Sequence, residues 1–274
     1  MKVPFIKMQG CGNDFIFFDA RKLPTFEWAK ISGRLLDRRF GIGGDTMLVL
    51  LSPKEKGSDG RMLTIERDGN ESEMCGNGIR CVARYLQETG VPKSTYAFET
   101  PGGRRTVEIE SFERIRVDMG APIFEPGKIP VASEAPIWGK EIDVEGQNVK
   151  IYTLSMGNPH AVIFVGRSEQ LNQVTTLGPK VERHSLFPRR TNVEFVHIKD
   201  GHLHVRVWER SAGETWACGT GASAAGVVAL REKHVKNPVR VEFRGGTVEI
   251  SWKDGESVFM TGPAGRVFEG EVDL

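Results

Sequence analysis

Surplus charge, disulfide-forming cysteine and long apolar runs are all missing from this sequence, and each absence closes off a class of function. Lys and Arg number 37 against 36 Asp and Glu, a formal net charge of +1 over 274 residues. Nucleic acids and anionic membranes select clustered surplus cations, so neither is expected as a partner, and Arg189-Arg190 is only a local basic run. The four cysteines, Cys11, Cys75, Cys81 and Cys218, contain no C-x-x-C pair and are too sparse for a disulfide framework, which leaves them as thiols of a reducing compartment. No apolar stretch approaches the roughly 18 residues that a membrane span needs. The N-terminal MKVPFIKMQGCGND turns polar and Gly-rich before a signal-peptide core can form, so a cytoplasmic location is expected. With 39% hydrophobic residues the chain can build one large domain or two medium ones, each with a substantial core.

What is present is strand-rich. MLVLL (47–51), TVEIE (106–110), AVIFV (161–165), LHVRVWE (203–209) and TVEISW (247–252) read as strands punctuated by Gly, Pro and Asn. Helical periodicity covers Trp28 to Arg38, Ile79 to Glu88 and Ala222 to Lys233, the last two opening directly after Gly-containing turns. Four landmarks then recur in one order. A Gly-Asn precedes an apolar strand at Gly12 and Gly157, 145 residues apart, and E-[ST]-x-x-C-G-x-G precedes a helix at Glu71 and Glu214, 143 apart. TVEI occurs at Thr106 and Thr247, and a Met-Gly/Thr-Gly-Pro turn at Met119 and Met260, both 141 apart.

Four matches in one register are hard to obtain without duplication. The sequence predicts an α+β fold of two pseudo-symmetric duplicated domains, each a curled mixed sheet or barrel around one central helix, with an active-site cleft between them. The halves are expected at 1–120, joined by a returning C-terminal strand 264–274, and at 121–263, with the Pro and Gly of MGAPIFEPG (119–127) marking the boundary.

Cys75 and Cys218 belong to the repeat, and each sits where a Gly-rich turn feeds a helix N-terminus. Orphan N–H groups and the positive end of the helix dipole gather there, so both thiols are expected to ionise below the ordinary value of about 8.5. The same donors in Gly76-Asn77-Gly78 and Gly219-Thr220-Gly221 can receive a carboxylate. A small acid held between two such thiols could lose a proton to one and receive a proton from the other, which is inversion at carbon and needs neither metal nor pyridoxal cofactor. Cysteine is also a common core residue, and Cys81 and Cys11, which have no repeat mate, read as packing. GIGG (41–44) lacks dinucleotide-fingerprint spacing and reads as a loop. His202 and His204 alternate on one strand face with no nearby ligand in sequence to complete a metal site, so no metal is expected. His160 follows the repeated Gly-Asn turn and is a candidate site residue, a hydrogen-bonded structural histidine being the alternative.

GNDF (12–15), MCGNGIRC (74–81), MGNPH (156–160), RTNVEF (190–195), WERSAGET (208–215) and ACGTGA (217–222) resemble, in order and spacing and over essentially the whole chain, the diaminopimelate epimerases that work without pyridoxal phosphate. The resemblance implies a two-domain fold, a two-cysteine acid/base pair, a role in lysine and peptidoglycan biosynthesis, a small amino-acid substrate and a homodimer. It places Cys75 and Cys218 as the catalytic thiols and His160 and Glu209 as groups that assist proton transfer. Gly76, Asn77, Gly219 and Thr220 match the groups that hold the reacting carboxylate, and Asn13, Asn158, Asn192 and Arg210 match side chains that bind the rest of the substrate. Two positions depart. The family usually has Asn-x-Asp-Gly-Ser ahead of the first catalytic Cys where this chain has Glu66-Arg67-Asp68-Gly69-Asn70, and commonly Gln or Gly where it has Thr46. Both fall on the substrate-specificity side, which keeps open a relative acting on another amino acid, such as a histidine racemase. A non-catalytic sensor of small acids would need neither thiol.

Overall fold

Residues that alternate or run apolar over five to nine positions build most of the chain, which the computed structural model describes over residues 1–90 and 92–274. Strands β1 (Lys2–Gly10), β2 (Asn13–Asp19), β3 (Thr46–Leu51), β4 (Gly60–Ile65), β5 (Thr95–Thr100), β6 (Gly103–Ile109) and β7 (Ile115–Gly120) are accompanied by helices α1 (Trp28–Leu35) and α2 (Gly76–Thr89). There follow β8 (Trp138–Val144), β9 (Gln147–Ser155), β10 (Pro159–Val165), the short α3 (Gly178–Glu182), β11 (Asn192–Lys199), β12 (His202–Glu209), β13 (Gly213–Thr215), α4 (Gly219–Arg231), β14 (Val239–Phe243), β15 (Gly246–Ser251), β16 (Val258–Gly262) and β17 (Gly265–Asp273). The chain divides into one unit of Met1–Asp118 with Thr261–Leu274 and a second of Met119–Met260.

The duplication read from sequence is written into the pairing. Along β1–β2–β3–β4–β5–β6 successive neighbours are antiparallel, parallel, antiparallel, parallel and antiparallel. Along β9–β10–β11–β12–β14–β15 the same alternation recurs. The C-terminal β17 lies antiparallel on β1, as β8 lies on β9. Each sheet is curled around its helix and is not closed into a barrel. Strands β2 and β3 are buried on both faces, which is why FIFF in β2 and MLVL in β3 run apolar without alternation.

Helix α4 packs against β9, β10, β11, β12, β14 and β15, and every residue from Gly219 to Ala229 is buried. A helix buried all round must be apolar all round and thin enough to be wrapped, which GTGASAAGVVALR supplies. Val227 and Val228 are wholly buried, each contributing about 1.5–3 kcal/mol. At Gly226 a Cβ would stand 2.6 Å from Ile250 Cγ2, so a larger residue there would push β15 away. The boundaries differ from the sequence reading in one instructive way: α2 and α4 begin at Gly76 and Gly219, not at Ile79 and Ala222. The Gly-rich stretches are the first helical turns themselves, and Cys75 and Cys218 are their N-caps. Helix α1 stops at Leu35, short of Arg38. Among the described residues no helix is long and apolar enough to cross a membrane.

Candidate active site

In the first unit the sulfur of Cys75 stands at the start of α2. The residue has extended backbone (φ −126°, ψ 103°), and Sγ accepts from the Gly78 N–H at 3.3 Å, one of the donors the helix leaves unused. Asn13, at the start of β2, faces it: Oδ1 lies 4.0 Å from Cys75 Sγ and accepts from Asn77 Nδ2 at 3.3 Å, while Nδ2 donates to Asp45 at 3.1 Å. Buried Arg80 donates to the Gly76 carbonyl at 3.1 Å and to the Pro263 carbonyl at 3.0 Å, tying the first turn of α2 to the rest of the unit. Glu66 follows β4, accepts from Ser72 Oγ at 2.6 Å and meets the Thr46 hydroxyl. Burial pushes its carboxyl up; the Ser72 and Thr46 hydroxyls pull the other way, and the charges of Asp68 and Asp45 add to the rise.

The second unit repeats the frame. Cys218 caps α4 with φ −129° and ψ 116°, its Sγ accepting from Gly221 N–H at 3.4 Å and lying 3.4 Å from Thr220 Oγ1. Asn158 donates to Thr220 Oγ1 at 3.2 Å and faces His160 Nε2 at 2.8 Å through its Oδ1. His160 is wholly buried, and its Nδ1 lies 2.7 Å from Glu194 Oε1. Asn192 spans two segments, donating to the Pro159 carbonyl at 2.8 Å and accepting from Arg210 N–H at 2.9 Å. The half-buried Arg210 guanidinium has no hydrogen bond or ion pair among the described residues, so its donor fork is open to a ligand. Glu209 accepts from the Thr215 hydroxyl.

The expectation that both thiols ionise easily fails for Cys218. Burial pushes its thiol well above the ordinary value, and the Glu209 and Glu194 carboxyls add to the rise, outweighing the Thr220 hydroxyl and the Gly221 N–H. A helix N-terminus supplies one or two donors, whereas sealing the sulfur beside two acidic side chains removes far more solvation. Cys81 is fully buried and pushed up to about 12 by desolvation, and Cys11 is buried with its thiol raised for the same reason; both are core residues. His202 and His204 each lie 3.3 Å from Glu242 of β14, a carboxylate that sequence order hides and that strand pairing delivers.

Comparison with known proteins gives the arrangement its relatives. The diaminopimelate epimerase family model matches residues 5–125 and 152–267. A diaminopimelate epimerase of Carboxydothermus hydrogenoformans is 48% identical, covering 98% of this chain and 99% of that protein, and one of Leptospira biflexa is 41% identical with full coverage of both. The chain belongs to the diaminopimelate epimerase family. The fold is also that of a hydroxyproline epimerase from Agrobacterium vitis (TM-score 0.71, 16% identity, 99% of this chain and 91% of that one) and of a Bacillus anthracis protein of the PhzF family (TM-score 0.69, 17% identity, full coverage of both).

Against this family frame, the residues singled out from sequence fall into two clusters, one in each unit. Asn13, Thr46, Glu66, Cys75, Gly76 and Asn77 gather around the start of α2. Asn158, His160, Asn192, Glu209, Arg210, Cys218, Gly219 and Thr220 gather around the start of α4. Three partners escaped the sequence reading. Ser72 and Thr215 hold the two glutamates, and a shared six-residue spacing, Glu66 to Ser72 and Glu209 to Thr215, could have revealed them. Glu194 is wholly buried in β11 between Val193 and Phe195. A lone acid inside an apolar strand is the signal that was available for it.

Proposed function

We propose that this chain epimerises LL-2,6-diaminopimelate to the meso isomer without pyridoxal phosphate, with Cys75 and Cys218 as the proton-transferring pair. The observation that carries the reading is that a full-length member of the diaminopimelate epimerase family places a thiol as N-cap of the long helix in each of its duplicated halves. One thiolate takes the α-proton, the C–H electron pair moves toward the carboxylate, and the other thiol returns a proton to the opposite face. The N–H groups of the first turns, with Gly76, Asn77, Gly219 and Thr220, hold the reacting carboxylate as its negative charge grows. His160 and Glu209 tune the proton on Cys218, and Asn13, Asn158, Asn192 and Arg210 bind the distal amino-acid end, Arg210 as a bidentate partner for its carboxylate. Glu66 and Thr46 meet the same end of the substrate. Cytoplasmic lysine and peptidoglycan biosynthesis and a homodimer go with this reading.

Incubating the enzyme with LL-diaminopimelate in D2O and following the α-hydrogen by NMR tests it. Exchange accompanied by appearance of the meso isomer is expected. Inactivity on diaminopimelate together with turnover of histidine would move the assignment to another amino acid and make Glu66 and Thr46 the reason.

A further inference from the structure

We infer that Glu194 is a positioning residue, which locks His160 into a directional hydrogen-bond chain ending as a donor on the sulfur of Cys218. The proposal deepens the epimerase reading and rests on it for its kinetic arm. The chain can be followed atom by atom. Thr220 Oγ1 accepts from Asn158 Nδ2 at 3.2 Å, so its own hydrogen is free to point at Cys218 Sγ, 3.4 Å away. With its amide nitrogen so committed, Asn158 offers Oδ1 to His160, and Nε2 must carry the hydrogen of that 2.8 Å contact. The remaining ring nitrogen, Nδ1, meets Glu194 Oε1 at 2.7 Å, and both side chains are fully sealed from solvent. One proton shared between Nδ1 and Oε1 leaves the pair neutral overall in a place where a bare charge would be costly. The other carboxyl oxygen, Oε2, receives no donor from any other described residue, so His160 is the side chain on which Glu194 acts.

The duplication supplies an internal control for whether packing alone explains this pair. In the parallel ladder of the first unit Phe15 stands opposite Thr46 and Phe17 opposite Leu48; in that of the second His160 stands opposite Asn192 and Val162 opposite Glu194. Phe15 and Leu48 are therefore the counterparts of His160 and Glu194. The surroundings match as well: a Cβ on Gly78 would meet Leu48 Cδ2 at 2.7 Å, and one on Gly221 would meet Glu194 Oε1 at 2.8 Å. An apolar pair fills this place in one half, so the fold does not require a polar one. Of the two counterpart positions, the acid and imidazole stand in the half whose thiol is hard to ionise chiefly because it is buried, where an aligned donor matters most.

The test compares wild type with Glu194→Gln, Glu194→Leu, His160→Phe and the double variant His160→Phe/Glu194→Leu, which copies the first half. Two readouts are taken: kcat and KM on LL-diaminopimelate, and the pH dependence of Cys218 alkylation by iodoacetamide, measured by peptide mass spectrometry with Cys75 as reference. Glu194→Leu and His160→Phe should each lower kcat by about 100-fold with KM little changed, the low end of what a general acid–base group supplies. They should move Cys218 alkylation to higher pH and leave Cys75 in place. Glu194→Gln, whose amide can donate to Nδ1, should recover most of both, and the double variant should be no worse than His160→Phe. An unchanged Cys218 profile in Glu194→Leu, or one moved to lower pH because Glu194 and Glu209 act on the thiol as bare charges, would overturn the proposal. So would an undiminished effect of Glu194→Leu in the His160→Phe background. Wild-type inactivity on diaminopimelate with the alkylation shifts intact would reject the substrate assignment while leaving the positioning role standing.

Discussion

Replacing Cys218 separates two jobs of one sulfur atom. As N-cap of α4 it accepts from Gly221 N–H at 3.4 Å, and in the proposed reaction it moves the substrate proton. Alanine removes both. Losing an N-cap side chain costs about 0.5–2 kcal/mol, and a long contact to sulfur belongs at the low end. Deleting one heavy atom from a residue only 6% exposed adds about 1 kcal/mol of lost packing. Together these give about 1.5–2 kcal/mol, or a Tm lower by about 3 °C for a chain of this size. Serine keeps an acceptor at the cap and fills nearly the same space, so Cys218→Ser should stay within about 1 kcal/mol of wild type. Turnover should fall by about 100-fold or more in both, since a hydroxyl is a far poorer base than a thiolate. Thermal melts at neutral pH run beside the NMR epimerisation assay provide the comparison. Unchanged Tm in Cys218→Ala would refute the capping argument, and near wild-type turnover in Cys218→Ser would refute the chemical one.

Asp14 offers a pH test. Burial raises its carboxyl, but hydrogen bonds and ion pairs from Arg38 and Lys7, each at 2.5 Å, outweigh it and hold the group at about 2. Its folded value lies below the unfolded one, so its contribution, about 1–2 kcal/mol after allowance for partial exposure, is present above pH 4 and lost as pH falls toward 2; Asp14→Asn should flatten that part of the acid-unfolding curve. Glu66 has the opposite sign. Its folded carboxyl is raised, chiefly by burial, so the folded state holds the proton longer and stability is lost as pH rises past the ordinary carboxylate range. Glu66→Gln should therefore raise Tm more at pH 8 than at pH 4, and equal gains at both would contradict a buried, proton-holding side chain. Arg210→Lys keeps the charge but not the planar fork, and kcat/KM for diaminopimelate should drop about tenfold or more, mainly through KM.

Much of this was legible in the chain because duplication leaves local marks. The C-G-x-G strings, the Gly-Asn turns and the two TVEI segments lie at matching places of the pairing scheme, and the five strands read from sequence correspond to β3, β6, β10, β12 and β15, with the two long helices also legible. The helices start three residues earlier than the periodicity predicts, because glycine disfavours helix interiors whereas at the first turn its N–H groups are needed by a capping sulfur. The raised thiol of Cys218 is hidden from the sequence for a different reason. A helix terminus is visible in sequence, but Glu194 comes to the thiol from a strand 24 positions earlier, and only the packing of β11 against the first turn of α4 shows that. Glu242 reaches His202 and His204 by the same kind of long-range pairing.

The two halves also show which parts of the site symmetry serves and which it does not. Counterparts shared by both are the N-cap thiol, the donors of the first helical turn, and a glutamate held by a hydroxyl six residues on, Glu66 with Ser72 and Glu209 with Thr215. Those are the groups that proton transfer at either face of one carbon would need in duplicate. The anchors have diverged. Arg67 and Arg210 stand 143 residues apart, the same offset as the two thiols, yet Arg67 is exposed and bound to Asp37 at 2.5 Å, while Arg210 is half-buried with its fork open. Asn192, whose counterpart is Thr46, fixes the backbone of Arg210. Diaminopimelate has two identical amino-acid ends, so under the proposed reaction it is the protein that must distinguish the end that reacts from the end that is held, and unequal arginines supply such a difference. In the proposed reaction, an Arg67 held by Asp37 would leave recognition of the distal carboxylate to Arg210.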